Sequence, residues 1–245
     1  EAMTLLTEAA DKGDSTAQWT LGALSYTYSS NKADALRFLV KASNQGEKDA
    51  SLMLAQMYEN GEGVAQNDQE AFKWYQKAVA QGDSYSLYKI GNMYDAGRGI
   101  AQNVQEAIRS YRQAADQGDA AAQSRLGWCY ANGHGVEKDD VEAVRLWRLS
   151  AEQGHAIAQY YLGHMYDEGR GVSQNDQEAF QWFLKAAEQG DADAQYDVGM
   201  RYSKGIGVSR DDTMAVKYWE MAAQQGSKVA QYCLGMAYDK GFGVP

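Results

Sequence analysis

His155 to Gly190 reads HAIAQYYLGHMYDEGRGVSQNDQEAFQWFLKAAEQG, and the rest of the chain is this unit written again with substitutions. Gln-Gly pairs close the copies at Gln45-Gly46, Gln81-Gly82, Gln117-Gly118, Gln153-Gly154, Gln189-Gly190 and Gln225-Gly226. The spacing is 36 residues throughout, without slippage. A period in that range means stacked supersecondary units, each burying its apolar face against the next.

The unit reads as two helices. In the first, helix A, Ala158, Leu162 and Tyr166 recur at four-residue spacing and share one helical face. In the second, helix B, Ala179, Trp182, Phe183, Ala186 and Ala187 make a broad apolar stripe. Between them Gly169-Arg170-Gly171-Val172 breaks the periodicity, because glycine accepts the positive φ of a sharp turn. Asn175 stands three residues before Glu178, a capping-box spacing in which each side chain satisfies the other's free backbone N–H. The pair recurs at Asn67/Glu70, Asn103/Glu106 and Asp139/Glu142 and lapses at Asp211/Met214.

Ala-Gln-x-x-Leu-Gly-x-x-Tyr, then Gly-x-Gly-Val, then Glu-Ala-x-x-Trp-[Tyr/Phe]-x-x-Ala-Ala-x-Gln-Gly resembles the Sel-one-like repeat, a relative of the tetratricopeptide repeat. The resemblance covers nearly the whole chain. It implies an all-α, right-handed α-α superhelix, a solenoid of helix-turn-helix repeats, used as an adaptor or scaffold. Bacterial members of that family are often exported and sometimes face host proteins. Cysteine-rich relatives linked to β-lactam turnover carry paired cysteines regularly spaced within each repeat, and this chain lacks them.

The repeats are expected to form a single solenoid domain over 1–245. Residues 1–13 align with a helix B whose helix A is missing. Complete repeats follow at 14–46, 47–82, 83–118, 119–154, 155–190 and 191–226, and 227–245 is a helix A and turn without its helix B. The first complete repeat is short because Ser25 to Asn31 replaces the glycine turn, so a tighter hairpin is expected there. Asp83, Asp119 and Asp191 stand where an N-cap acid would serve helix A. Ala230, Leu234 and Tyr238 are expected to form an uncovered stripe, and Leu5 and Leu6 another. The chain is therefore expected to continue past Pro245 and to be capable of end-to-end self-association.

Composition narrows the function. All 25 glycines fall in repeat positions, so none is left for a phosphate loop. A formal charge of −10 with scattered Lys and Arg argues against a nucleic-acid groove. No apolar run approaches the roughly 20 residues of a membrane span. Cys129 and Cys233 lie about three repeats apart, too far for a disulfide, and leave the compartment open. His134, His155 and His164 are the only histidines, and no nucleophile, base or spaced ligand set assembles around them. The paired acids Asp139-Asp140 and Asp211-Asp212 begin helix B, where they favour the dipole. Neither catalysis nor a cofactor is expected.

Individuality must then sit where repeats differ. Gly63–Asp83 and Gly171–Asp191 agree at 15 of 21 positions, so helix B and its turn do one structural job repeatedly. The variation falls on helix A. Counting from the glycine that closes the preceding repeat, the sixth residue reads Trp19, Leu52, Tyr88, Ser124, Tyr160, Tyr196 and Tyr232. The tenth reads Ala23, Gln56, Asn92, Trp128, His164, Met200 and Met236. The two positions share a face, which by similarity to tetratricopeptide repeats lines the concave surface. The candidate binding residues are Trp19, Tyr88, Asn92, Trp128, Tyr160, His164, Tyr196, Met200, Tyr232 and Met236. An aromatic and Met-lined groove suits a protein or peptide partner. The alternative is that the sixth position only packs between hairpins. Position thirteen carries Glu59, Asp95, Asp167 and Asp239, either an acidic edge for a basic partner or merely solvated residues. Truncating Arg98 or Arg170, in the turns, is expected to do little to partner binding. The competing function is a hydrolase or a glycan-binding protein, with Trp128, Tyr160 and Tyr88 stacked on sugar rings.

Overall fold

The computed structural model describes residues 2–28 and 32–243, and among them all regular structure is helical. The helices are α1 (Ala2–Asp11), α2 (Ser15–Tyr28), α3 (Ala33–Asn44), α4 (Lys48–Asn60), α5 (Asp68–Ala80), α6 (Ser84–Ala96) and α7 (Val104–Asp116). They continue as α8 (Ala120–Asn132), α9 (Asp140–Glu152), α10 (Ala156–Glu168), α11 (Asp176–Glu188), α12 (Ala192–Lys204), α13 (Asp212–Gln224) and α14 (Lys228–Asp239). This is the all-α solenoid of helix-turn-helix repeats that the 36-residue period implies. It divides into two compact units, Glu1–Ala122 and Gln123–Pro245, with the boundary in the first turn of α8. In the first unit the hairpins α2–α3, α4–α5 and α6–α7 follow α1; in the second, α8–α9, α10–α11 and α12–α13 precede α14.

Three local devices recur along the hairpins. The first is the turn. Gly169 closes α10 in the left-handed region at φ 67°, with its amide bonded to the Met165 carbonyl. Gly171 has φ +66°, and a Cβ there would lie 2.2 Å from the Asp140 carbonyl oxygen, so this glycine lets the turn lie flat on the start of the preceding helix B.

The second device is the cap, and here the expected box forms only by half. Asn175 Oδ1 accepts from the amides of Gln177 and Glu178, 3.1 Å each. The amide of Asn175 does not await a glutamate, because it donates to the Tyr166 carbonyl at the end of helix A. The same closure joins Asn67 to Tyr58, Asn103 to Tyr94, Asp139 to Tyr130 and Asp211 to Tyr202. Freed of the cap, Glu70, Glu106 and Glu142 pair instead with Lys73, Arg109 and Arg145 one turn on. Asp211, where the box lapses in sequence, still caps the Met214 amide at 2.9 Å.

The third device is a chain of buried glutamines, and it explains both halves of the Ala-Gln and Gln-Gly signature. Gln159 is buried, donates Nε2 to the Ala151 carbonyl at 3.1 Å and accepts at Oε1 from Gln189 Nε2 at 2.7 Å. Gln195 does the same with Ala187 and Gln225, and Gln18 with Ala10 and Gln45. Each link ties the end of one helix B to the following helix A and to that helix's own partner. A buried amide so placed adds a second donor to a carbonyl at the helix end and has its own oxygen satisfied.

Between these links the cores are apolar. Ala35, Leu39, Ala50, Leu54 and Met57 are fully buried in the first unit, and Ala143, Ala158, Leu162, Ala179 and Val198 in the second. On α14, Tyr232 and Tyr238 are exposed, whereas Ala230 of the expected open stripe is buried against α13 and Leu234 is half-buried. Leu5 is exposed on α1 and Leu6 packs beneath it. The tight turn expected at Ser25–Asn31 falls partly on Ser29–Asn31, outside the described residues, as does Pro245; α2 itself runs to Tyr28.

Candidate functional site

The helix-A residues singled out by repeat comparison meet different fates. In the first unit, Trp19 packs against the cluster of Leu39 and Leu54. Asn92 Oδ1 accepts the hydroxyl of buried Tyr111 at 2.8 Å, and Tyr88 lies against the same ring at 6.1 Å. Their chemistry is turned inward. In the second unit, Tyr196 and Met200 pack on the cluster of α13 and α14. Met200 and Met236 line a cleft of about 290 Å³ with Trp219 and Phe242, while Tyr232 is exposed.

Trp128, Tyr160 and His164 come together. They line a cleft of about 350 Å³ whose walls also hold Trp147 and Tyr161. Trp147 and Tyr161 stack at 4.9 Å, and the Trp147 indole donates to the Ser124 carbonyl at 3.0 Å, so this wall is rigid. Tyr160 meets His164 edge-on at 4.6 Å, and His164 meets Phe183 edge-on at 4.9 Å. Trp128 carries the Arg125 guanidinium 4.4 Å over its ring and has His134 at 5.6 Å. Asn132, Glu168 and Arg170 form the polar edge.

Beside His164 lies a group of charges, two of which, Asp197 and Arg201, repeat comparison did not single out. His164 Nε2 stands 3.7 Å from Asp197 Oδ2, and Arg201 Nη2 stands 2.5 Å from Asp167 Oδ1. Arg201 is 6% exposed, with its guanidinium 4.9 Å from the Phe183 ring. Burial pushes the Asp197 carboxyl above the usual carboxylate range, against the pull of His164 and Arg201. Burial also raises the Tyr160 hydroxyl, and the Asp197 charge adds to the effect. The signal was present in the repeat columns. The eleventh position of helix A reads Leu24, Met57, Met93, Cys129, Met165, Arg201 and Ala237, so Arg201 is a charge in an apolar column.

One expectation needs correction. Of the acids at position thirteen, Glu59 and Asp167 are neither a free edge nor simply solvated. Glu59 takes Lys89 at 2.7 Å and the Tyr75 hydroxyl at 2.5 Å, and Asp167 takes Arg201, each from the following hairpin or its own partner helix. Asp239 is exposed. The turn arginines make ion pairs within the fold. Arg98 bonds Asp68 at 2.8 Å, and Arg170 grips Asp140 with Nη2 at 2.7 Å and Nε at 3.2 Å while bordering the cleft. Each draws its partner carboxylate from the first residue of the preceding helix B, the residue against which the turn glycine lies.

Comparison with known proteins places the chain. The Sel1 repeat model matches six consecutive segments, 48–83, 84–119, 120–155, 156–191, 192–227 and 228–245. A protective antigen present in uropathogenic Escherichia coli strains, displaying an SLR fold, is 34% identical over 98% of this chain with a TM-score of 0.89. The chain spans about half of that antigen, 52% of its length. A Sel1 repeat protein from Oxalobacter formigenes is 31% identical, covering 91% of this chain and 89% of its own, with a TM-score of 0.80. No curated protein matches the sequence. Repeats of this kind are typically protein-interaction scaffolds.

Proposed function

The chain belongs to the Sel1 repeat family, and from that premise we propose that it is a non-catalytic scaffold that holds a protein or peptide partner in the cleft of its second unit. One observation carries the reading. Trp128 and His164 replace smaller or polar residues of their column, and both line one cleft with Tyr160. Its volume, about 350 Å³, suits one or two partner side chains. Stacked and hydrogen-bonded aromatic walls lose little freedom on binding, so contact area converts to affinity at small entropic cost.

The test is selection of peptides from a random display library on the purified chain, followed by affinity measurement on variants. Truncating a buried anchor costs about 2 kcal/mol or more. Trp128→Ala and Tyr160→Ala should therefore weaken the selected peptides at least about tenfold, with helicity intact by circular dichroism. Arg109→Ala, on an exposed side chain of the first unit, serves as control. Peptides that bind all variants alike would refute the cleft. The non-catalytic reading is checked with nitrocefin, esters, phosphoesters and oligosaccharides. A rate that saturates with substrate and disappears in His164→Ala would overturn it.

A further inference from the structure

The Trp128–Tyr160 cleft is surrounded by more than rings. Its floor is formed by the last turns of α8 and α10, through Ala131, Asn132, Met165 and Glu168. The C-terminal ends of two helices, each the negative pole of its dipole, thus meet at one place. The chain already answers that field with a cation of its own, since Arg170 Nη2 reaches the Ala131 carbonyl at 3.5 Å. Arg170 does not leave a positive cleft, because its fork is held by Asp140, which also has Lys138 at 3.9 Å. Glu168, whose side chain is 51% exposed, meets Arg170 at 3.4 Å and lines the cleft. Asp197 stands behind His164 at the other side. The ring of Trp128 takes a guanidinium within the chain, that of Arg125, which does not line the cleft.

Aromatic faces, two dipole ends and a carboxylate at the mouth are complementary to a positive charge. We propose that the cleft recognises a cationic side chain, a lysine or arginine presented by the partner, with its aliphatic stem along the rings and its charge toward Glu168. This inference rests on the reading of the cleft as the partner site and adds the chemistry of what enters it. An arginine stem stacks on Trp128 or Tyr160 as readily as a lysine stem, so the two share one seat.

The test uses capped tripeptides, acetyl-Gly-X-Gly-amide, with X lysine, norleucine or glutamate, titrated into the isotope-labelled full chain. The Trp128 and Trp147 indole N–H signals are read by NMR, assigned through Trp→Phe variants. A cation on an aromatic face at a partly exposed site is worth a factor of about five. The lysine peptide should therefore shift both indoles saturably, bind about fivefold tighter than norleucine, and outbind glutamate by more. Glu168→Gln should weaken lysine about twofold and leave norleucine unchanged. Added salt should weaken lysine alone.

Norleucine binding as tightly as lysine, glutamate binding best, or no indole shift with any probe would each overturn the cationic seat. The broader reading is decided separately. If library-selected peptides lose affinity in Trp128→Ala yet carry no Lys or Arg, the cleft is the partner site and only its proposed chemistry fails. If they bind Trp128→Ala unchanged, the site itself fails.

Discussion

Gly171→Ala and Gly190→Ala form a matched pair that isolates how one hairpin rests on the next. Both glycines have positive φ, +66° and +97°, so alanine at either pays for the left-handed backbone. That strain is about 1–2 kcal/mol, partly offset by a stiffer unfolded chain, leaving about 1 kcal/mol for Gly190→Ala, where an added Cβ meets nothing within 4 Å. At Gly171 the Cβ would stand 2.2 Å from the Asp140 oxygen, 2.5 Å from its carbonyl carbon and 2.9 Å from the Val141 nitrogen. All three are backbone atoms at the start of α9 and cannot rotate away. The turn must lift, which adds about 2 kcal/mol of overpacking and disturbs the Arg170–Asp140 fork. Urea unfolding followed by circular dichroism should place Gly171→Ala about 3 kcal/mol below the parent. With a slope of about 2 kcal/mol per molar, its midpoint falls roughly 1 M below that of Gly190→Ala. Equal midpoints for the two variants would show that the turn does not bear on the preceding helix, and the account of the second glycine would be wrong.

Gln159→Leu should cost about 2 kcal/mol, since it removes two hydrogen bonds while the Ala151 carbonyl keeps the Gly154 amide; a melting temperature unchanged from the parent would dismiss the glutamine chain as a stabilising device. Asp140 is held below the usual carboxylate range by Arg170, so its contribution is complete well above the unfolded value of about 3.9 and lost as the pH falls through the lowered folded value. The stability gap between the parent and Asp140→Asn, about 1 kcal/mol or less for a partly exposed pair, should be constant near neutrality and close as the pH falls through the lowered value; a gap that widens in acid contradicts the assignment. Arg201→Met should destabilise by about 2–3 kcal/mol because it strips the cation from between Asp167 and Asp197. Adding Asp197→Leu should recover at least half of that loss, and a double-mutant cycle with no coupling would remove the buried charge group from the account.

The repeat boundaries, the two helices of each hairpin and the family were legible in the residues because every signal for them is local. The i, i+4 spacing of Ala158, Leu162 and Tyr166, the left-handed requirement at Gly169 and the cap at Asn175 each act within a few residues of themselves, and repetition made them unmistakable. Trp128 and His164 were also legible as residues that depart from the small or polar members of their column. The tertiary structure decided what those departures face. Asn92 and Trp128 occupy the same column, yet Asn92 holds the Tyr111 hydroxyl inward while Trp128 borders an open cleft. Glu59 and Asp167 read as an acidic edge until Lys89 and Arg201, thirty or more residues on, supply their partners. The pairing of Arg170 with Asp140 appeared only once the turn laid one on the other, and Glu178 read as half of a capping box until the Tyr166 carbonyl took the Asn175 amide. A period of 36 residues reveals which positions are equivalent. Pairing across that period depends on side-chain length, charge and the packing of one hairpin on the next, and these distances exist only once the chain is folded.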